Sequence, residues 1–212
     1  MIPPSECSIR VLIVDDHFFT RIGLTAALNM EPDIGVVAEA TCGRDAITLY
    51  AAHRPDVTLL DGQLPDIHGA EVTREILAQD TQARLIIFSI EETEEDIHRA
   101  VAAGVYGYLQ KNAPRGELLT AVRTVAAGRR FFPNTVNDKL QARLTHAPLS
   151  PREIEVLKSM AKGRPNKVIA TEMNVSTETV KTFVSRILDK LAVEDRTQAV
   201  MVALKRGLLK RK

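Results

Sequence analysis

The first half of the chain repeats one unit five times: a short apolar run, then an amphipathic stretch with helical spacing. The runs are IRVLIVDD (9–16), GVVAEA (35–40), DVTLLD (56–61), ARLIIFS (83–89) and VYGYLQK (105–111). Each is short and almost continuously apolar, the pattern of a strand covered on both faces. Between and after them lie stretches 19–30, 43–53, 69–79, 94–104 and 115–128, each with helical periodicity. In the first of these Ile22, Leu24, Ala27 and Leu28 are spaced to face a core. Strand and helix alternating in this order require a parallel sheet with helices on both faces. Right-handed crossovers then leave the flavodoxin-like strand order 2-1-3-4-5 as the expected α/β topology.

In such a sheet the functional crevice opens beyond the carboxyl ends of the strands. That edge is where the polar residues of these runs fall: Asp15 and Asp16 after the first, Asp61 after the third, Ser89 after the fourth and Lys111 after the fifth. Converging carboxylates repel one another unless a cation or a proton sits among them. A hard divalent ion with oxygen ligands, Mg²⁺ in a cell, relieves that repulsion while keeping several waters. A carboxylate can also attack a phosphoryl group to form an acyl phosphate. The ammonium of Lys111 can then offset charge on the transferring oxygens, and the hydroxyl of Ser89 can bond one of them. Taken singly, each residue reads as a cap, a strand end or a solvated charge; together, in this order, they read as a site.

Over about residues 8–128 the chain resembles the receiver domain of bacterial response regulators, through VDDH (14–17), LLDGQLPDIHG (59–69), FSI (88–90) and GYLQK (107–111). The resemblance implies that Asp61 is the phospho-acceptor, with Asp15 and Asp16 as its acidic partners. It implies that Mg²⁺ is held by Asp16, Asp61 and the backbone carbonyl of Gln63, with Asp15 acting largely through water. Ser89 and Lys111 would contact the phosphoryl group, and Tyr108 would be the aromatic switch, drawn inward with Ser89 on phosphorylation. The sequence departs from the family at Ile90, where a small residue is usual, so a bulky group is expected beside the acceptor. It departs again at Asn112, where proline is common. An aspartate-nucleophile phosphatase, the enzymatic alternative, would carry a second Asp where Gln63 stands.

Charge separates the two halves. Residues 1–128 hold 10 Lys+Arg against 19 Asp+Glu, whereas residues 129–212 hold 18 against 8. The basic half suits a polyanion, because neutralising phosphates releases counterions. Two cysteines, Cys7 and Cys42, lack paired spacing and fit a reducing cytoplasm. The chain start shows no signal-peptide pattern, and no apolar run reaches the roughly 18 residues of a membrane span. A cytoplasmic protein without membrane contact is expected.

Residues 129–147 read as a linker, helical in part from Pro133, with Val136, Leu140 and Leu144 sharing a face. From 148 to 212 the pattern is helical throughout, giving an all-α four-helix domain. Ser150, Pro151 and Glu153 form a capping-box start for a helix to Gly163. A short helix over 166–175 carries Val168, Ile169 and Met173 inward. A tight turn follows, and Ser176 caps a helix over 177–191 with Val180, Val184, Ile187, Leu188 and Leu191 on one face. Asp195 caps a fourth. Two helices joined by so short a turn form a helix-turn-helix, whose second helix enters the major groove. Away from its apolar stripe lie Glu178, Lys181, Thr182, Ser185 and Asp189. Lys181, Thr182 and Ser185 are candidates for base edges, with Thr179 at the helix start; Lys167, Arg186 and Lys190 flank them where phosphates run. A protein-interaction bundle with a solvated charged face is the alternative on pattern alone.

Residues 149–200 resemble a LuxR-type helix-turn-helix through LSPREIEVL, AKG, NKVIA, VSTETVK and ILDKL. Joined to the receiver, this is the NarL/LuxR class of two-component response regulators. The resemblance implies a transcriptional regulator, not a turnover enzyme, that receives a phosphoryl group from a sensor histidine kinase. It further implies double-stranded DNA as a partner, occlusion of the DNA-binding helices by the unphosphorylated receiver, and a homodimer formed through the last helix around Val200, Val202 and Leu204. The alternative within the class is an atypical receiver controlled by ligand or oligomerisation.

Overall fold

A computed structural model describes residues 9–90 and 93–209; Cys7 lies outside them, and Cys42 is a free thiol. Contacts divide the chain into two compact units: residues up to Glu92 with Asp96–Asp138, and Lys139–Lys212 with Thr93–Glu95. No helix among the described residues is long and apolar enough to cross a membrane.

The first unit alternates β1 (Ile9–Val14), α1 (Phe18–Asn29), β2 (Ile34–Ala40), α2 (Gly43–His53), β3 (Val57–Asp61), α3 (Gly69–Gln79), β4 (Leu85–Ser89), α4 (Glu94–Ala103), β5 (Gly107–Gln110) and α5 (Arg115–Ala126). The sheet runs β2-β1-β3-β4-β5, parallel at every pairing, as the alternation predicts. β3 and β4 are buried along their whole length, which is why their sequences are continuous apolar runs rather than alternating ones. Val11, Ile13, Leu59, Ile86 and Leu109 pack with Leu24 and Leu28 of α1 and Leu118, Val122 and Val125 of α5. Each such side chain contributes about 1.5–3 kcal/mol by leaving water. Ile22, expected to face this core, is instead exposed: helix α1 turns Leu24 and Leu28 inward, and Ile22 lies off that face.

The chain after α5 does not leave the sheet at once. Gly128 turns at φ +75°, and Phe131 then bonds to the free edge of β5. Its N–H donates to the Tyr106 carbonyl at 2.9 Å and its carbonyl accepts from Tyr108 N–H at 3.2 Å, covering an edge that would otherwise present unpaired backbone. Next, α6 (Asn134–Thr145) buries Val136 and half-buries Leu140. The expected third member of that face, Leu144, is exposed.

The second unit is helical: α7 (Pro151–Ala161), α8 (Asn166–Met173), α9 (Thr177–Leu191) and α10 (Arg196–Arg206). Ser150 forms the full capping box with Glu153, Ser176 caps α9 and Asp195 caps α10. The core joins Val156, Leu157 and Met160 to Ile169, Val180, Ile187, Leu191, Ala199 and Ala203. Val168 is a correction, since it is exposed; α8 turns only Ile169 and Ala170 fully inward. The turn between α8 and α9 needs a left-handed residue, and Asn174 supplies it at φ 53°. At the end of α9 the same conformation is taken by Ala192, at φ 56°.

Glu153 does more than cap. Its carboxylate, 3% exposed, takes the Ser150 N–H at 2.7 Å and the ammonium of Lys190 at 2.7 Å, and Lys190 also donates to the Pro148 carbonyl at 3.1 Å. The start of α7 is thereby tied to the end of α9. Burial pushes the Glu153 carboxyl up, but Lys190 and the Ser150 groups outweigh it and hold it below its ordinary 4.5.

Two outcomes follow for stability. An alanine in left-handed conformation carries roughly 1 kcal/mol of strain that glycine lacks, so Ala192→Gly is expected to raise the denaturation midpoint of the helical domain. Because the folded Glu153 carboxyl sits below its unfolded value, its contribution is complete above about pH 4.5 and is lost as pH falls through the lower folded value. Glu153→Gln should therefore cost about 1–3 kcal/mol near pH 7. The gap in melting temperature from the parent, followed by circular dichroism, should narrow towards pH 3.5.

Candidate functional site

β1 and β3 run side by side, with Val14 paired to Leu60, so Asp15 and Asp61 leave the sheet together. Asp15 is 1% exposed and Asp61 4%. β4 and β5 finish next to them: Lys111 N–H donates to the Ser89 carbonyl at 3.0 Å, and Ser89 is itself buried. The Lys111 ammonium reaches back across the strand ends to Asp61 Oδ2 at 2.6 Å and Asp15 Oδ2 at 2.7 Å. The structure thus brings together Asp15, Asp61, Ser89 and Lys111 at one edge, with Asp16 beside them.

The loop after Asp61 is built to hold it still. Gln63 N–H donates to Asp61 Oδ1 at 3.0 Å, and Gly69 N–H donates to the Gly62 carbonyl at 3.1 Å. A side chain at position 69 would place its Cβ 2.5 Å from the Asp61 carbonyl oxygen, so glycine is required for α3 to start this close. Further along the loop, Asp66 accepts from the N–H groups of Gly43 and Arg44 at 2.8 and 3.0 Å. Burial acts to raise that carboxyl, yet the backbone donors prevail and bring it to about 2.

Charge in the crevice is unbalanced. Burial pushes the Asp61 carboxyl above its ordinary value, against the opposing pull of Gln63 N–H and Lys111. Burial would lower the Lys111 ammonium, but bonds to Asp15 and Asp61 hold it above its ordinary value. With three carboxylates ionised, one ammonium leaves two negative charges over. Asp15 Oδ2 is enclosed and has the Lys111 charge as its neighbour, without a well-aligned hydrogen bond. Oxygen donors with that excess charge fit a divalent cation.

The sequence did not single out His17 and Arg21. The Arg21 guanidinium donates to the Asp15 carbonyl at 2.8 Å and bonds Glu39. His17 leans over the carboxylates, with Nδ1 2.8 Å from Asp16 Oδ1, 3.2 Å from Asp15 Oδ1 and 3.9 Å from Asp61 Oδ2. The direct adjacency of His17 to the acid pair was the available signal.

Tyr108 is 1% exposed and, with Ser89, Gly62, Gln63, Asp96 and Ala100, lines a small cavity next to Asp61. The ring occupies an inward position. Ile90, expected to crowd the acceptor, is exposed to solvent. No described peptide bond is cis, Lys111–Asn112 included.

On α9 the outward positions Glu178, Lys181, Thr182, Ser185, Arg186 and Asp189 are all exposed. Lys181 pairs with Glu178 at 3.1 Å on the surface. Thr179 is half-buried, its hydroxyl 2.8 Å from that of Ser176. Lys167 on α8 is exposed, whereas Lys190 is engaged by Glu153. On α10, Val200, Val202 and Leu204 pack partly against their own core, and Met201 is the exposed apolar side chain of that run.

Residues 11–123 match the response regulator receiver domain, and residues 147–203 match the luxR family of bacterial regulatory proteins. Response regulator protein VraR of Staphylococcus epidermidis is 37% identical over 207 residues, covering 95% of this chain and 99% of that protein. The uncharacterized transcriptional regulatory protein YxjL of Bacillus subtilis is 37% identical over 212 residues, covering 95% and 97%. Among solved structures, response regulator ChrA of a heme-sensing two-component system is 38% identical with a TM-score of 0.58, covering 96% of this chain and all of that one. RcsB in complex with DNA shares the fold at 22% identity and a TM-score of 0.71, covering 93% and 98%. The chain belongs to the two-component response regulators, a receiver joined to a LuxR-type helix-turn-helix, and is a DNA-binding transcriptional regulator.

Proposed function

We propose that Asp61 accepts a phosphoryl group from a sensor histidine kinase and that this modification controls DNA binding by α9. The observation that carries the reading is the Lys111 bridge. One ammonium 2.6 Å from Asp61 and 2.7 Å from Asp15 offsets the charge of a buried carboxylate at the crevice. In the transfer an Asp61 carboxylate oxygen forms the new P–O bond as the bond from phosphorus to the donor nitrogen breaks. The chain accepts one group and does not turn over an external substrate. Gln63 N–H restrains Oδ1 of the nucleophile, and Lys111 is placed to follow charge onto the phosphoryl oxygens. Ser89 offers its hydroxyl from the neighbouring strand end.

Asp16, Asp61 and the Gln63 carbonyl would hold Mg²⁺, with Asp15 behind them. Bound there, Mg²⁺ would supply charge neutralisation of the transferring oxygens. An added phosphoryl group brings a charge of roughly −1.5 to −2 into this crevice. Ser89 and Tyr108 share a cavity wall with Gln63, which gives that charge a route to the α4 side of the sheet.

On DNA, Lys181, Thr182 and Ser185 would face base edges, while Arg186 and Lys167 run beside phosphates. Lys190 is assigned to the fold, since Glu153 already holds its ammonium. The active form is a homodimer whose two copies of α9 read two half-sites, and its place of work is the cytoplasm.

Four measurements test the reading. With a small acyl phosphate as donor, the parent should shift on a phosphate-binding gel and Asp61→Asn should not; an undiminished shift in the variant would overturn the assignment. On an operator selected from genomic DNA, Lys181→Ala or Thr182→Ala should cost about 1–3 kcal/mol and relax base preference. Arg186→Ala should reduce the slope of log affinity against log salt by about 1, whereas Lys190→Ala should appear first as a lower melting temperature. Equal salt slopes for parent and Arg186→Ala would remove that residue from the phosphate contacts.

A further inference from the structure

We propose that Arg21 is a positioning residue for phosphoryl acceptance: from α1 it pins the Asp15 carbonyl and so fixes the direction in which Asp16 enters the crevice. The inference rests on the reading that Asp61 accepts a phosphoryl group, and it adds a residue that acts on that reaction through the backbone of another.

The residues Asp15, Asp16 and His17 join β1 to α1. The sheet holds the first of them, through Asp15 N–H on the Ala40 carbonyl at 3.1 Å. From the crevice, Asp15 Oδ1 accepts from His17 N–H at 2.8 Å, and Oδ2 lies 2.7 Å from the Lys111 ammonium. From α1, the Arg21 guanidinium donates to the Asp15 carbonyl at 2.8 Å. Asp15 is therefore gripped at its N–H, its carbonyl and both carboxylate oxygens.

Asp16 is held far less. Its side chain is 37% exposed against 1% for Asp15, and it bonds the exposed His17 ring at 2.8 Å. Yet one of its carboxylate oxygens stands within 4.8 Å of those of Asp15 and Asp61. What aims it is its backbone. A peptide unit is planar and rigid, so the Asp15 carbonyl and the Asp16 N–H turn as one piece. Holding that carbonyl holds the point from which the Asp16 side chain leaves the chain.

The guanidinium is itself immobilised. Its side chain is 13% exposed, Nε donates to Glu39 Oε2 on β2 at 3.1 Å, and the Phe18 ring centre lies 5.9 Å from its Cζ. Glu39 is fixed in turn, because its other oxygen accepts from the Thr25 hydroxyl at 2.8 Å. Arg21 and Thr25 are one turn apart on α1, so they take the two oxygens of one carboxylate from the same face. A planar fork satisfies the Glu39 carboxylate and the Asp15 carbonyl together; the ammonium of a lysine, a point charge on a flexible stem, lacks that geometry. An anchor for α1 alone needs only the Glu39 pair. The second bond reaches the one peptide unit that separates the two acids.

The test measures phosphorylation of the full chain by acetyl phosphate, with Mg²⁺ present throughout, as the donor concentration is varied. Arg21→Gln is expected to lower the maximal rate by about tenfold or more, because a misplacement of about 1 Å is costly, with the half-saturating donor concentration changed less than about twofold. Arg21→Lys keeps the charge without the fork and is expected to stay within about threefold of Arg21→Gln. The Asp16 amide signal in a two-dimensional NMR spectrum should move in both variants while those of Leu85 and Ile86 in β4 stay in place. Thr25→Val, which releases the far end of the Glu39 carboxylate, should slow the reaction in the same sense and serves where Arg21→Gln does not fold. Arg54→Gln, which breaks the surface pair with Asp80, should lower the melting temperature without lowering the rate. A parental rate in folded Arg21→Gln or in Thr25→Val, full recovery in Arg21→Lys, or an equal loss of rate in Arg54→Gln overturns the inference and leaves Asp61 as the acceptor. A parent that takes no phosphoryl group, or an Asp61→Asn that takes as much as the parent, overturns both.

Discussion

One buried ammonium sets the terms for the receiver. Asp15 and Asp61 are almost wholly removed from water, and an unpaired carboxylate in that position costs several kcal/mol. Lys111, 9% exposed and within 2.7 Å of both, is what makes their burial tolerable. The parallel sheet supplies that arrangement, because in it β1, β3, β4 and β5 all finish at the same edge. The order β2-β1-β3-β4-β5 places β3 next to β1 and β4 between β3 and β5. A lysine on the last strand must therefore reach over Ser89 to meet the acids, and its long aliphatic stem spans the gap.

Most of this could be read from the residues. Continuous apolar runs announced buried strands, and the polar residues that end four of the five runs announced the crevice, because strand direction assigns them an edge. The helical domain was legible through its caps: Ser150 with Glu153, Ser176 and Asp195 are local signals that need no tertiary information. What escaped was tertiary. Ile22, Val168 and Leu144 fit an apolar stripe by spacing but lie just off the face that meets a core, a matter of helix rotation that periodicity does not determine. Phe131 gave no sign of bonding to β5, since an edge is covered by whatever chain passes it. Lys190 looked like a phosphate contact because sequence shows charge without showing that Glu153, 37 positions earlier, claims it first. His17 was hidden for a related reason: it stands in VDDH beside the two aspartates that carry the motif, and only geometry shows its ring turned to the crevice.

The two units use charge in opposite ways. In the receiver, negative charge converges on a buried point and is left short of compensation, which makes the crevice responsive to whatever positive or phosphoryl charge arrives. In the helical unit, positive charge is spread over exposed positions, where each residue interacts weakly and is screened by salt. Lys190 differs, because its partner is the buried Glu153 carboxylate, and the pair is a strut between α7 and α9. The orientation of α9, and so the direction of Lys181, Thr182 and Ser185, is set by the apolar stripe beneath, and the strut ties down its C-terminal end.

Excess negative charge in the crevice also couples its ligands. A phosphoryl group on Asp61 would add charge to a cluster already two short of neutrality, so it raises the affinity for a cation, and a bound cation favours the phosphorylated chain by the same factor. The size of that coupling depends on how much of the imbalance the protein settles for itself. Lys111 cannot settle more, since its ammonium already contacts both buried acids. His17, more than half exposed and with Nδ1 2.8 Å from Asp16 Oδ1, shares in that balance only through a surface hydrogen bond. A cation taken up by the crevice would therefore have to offset the charge that remains, and the same charge would tie it to the phosphoryl group.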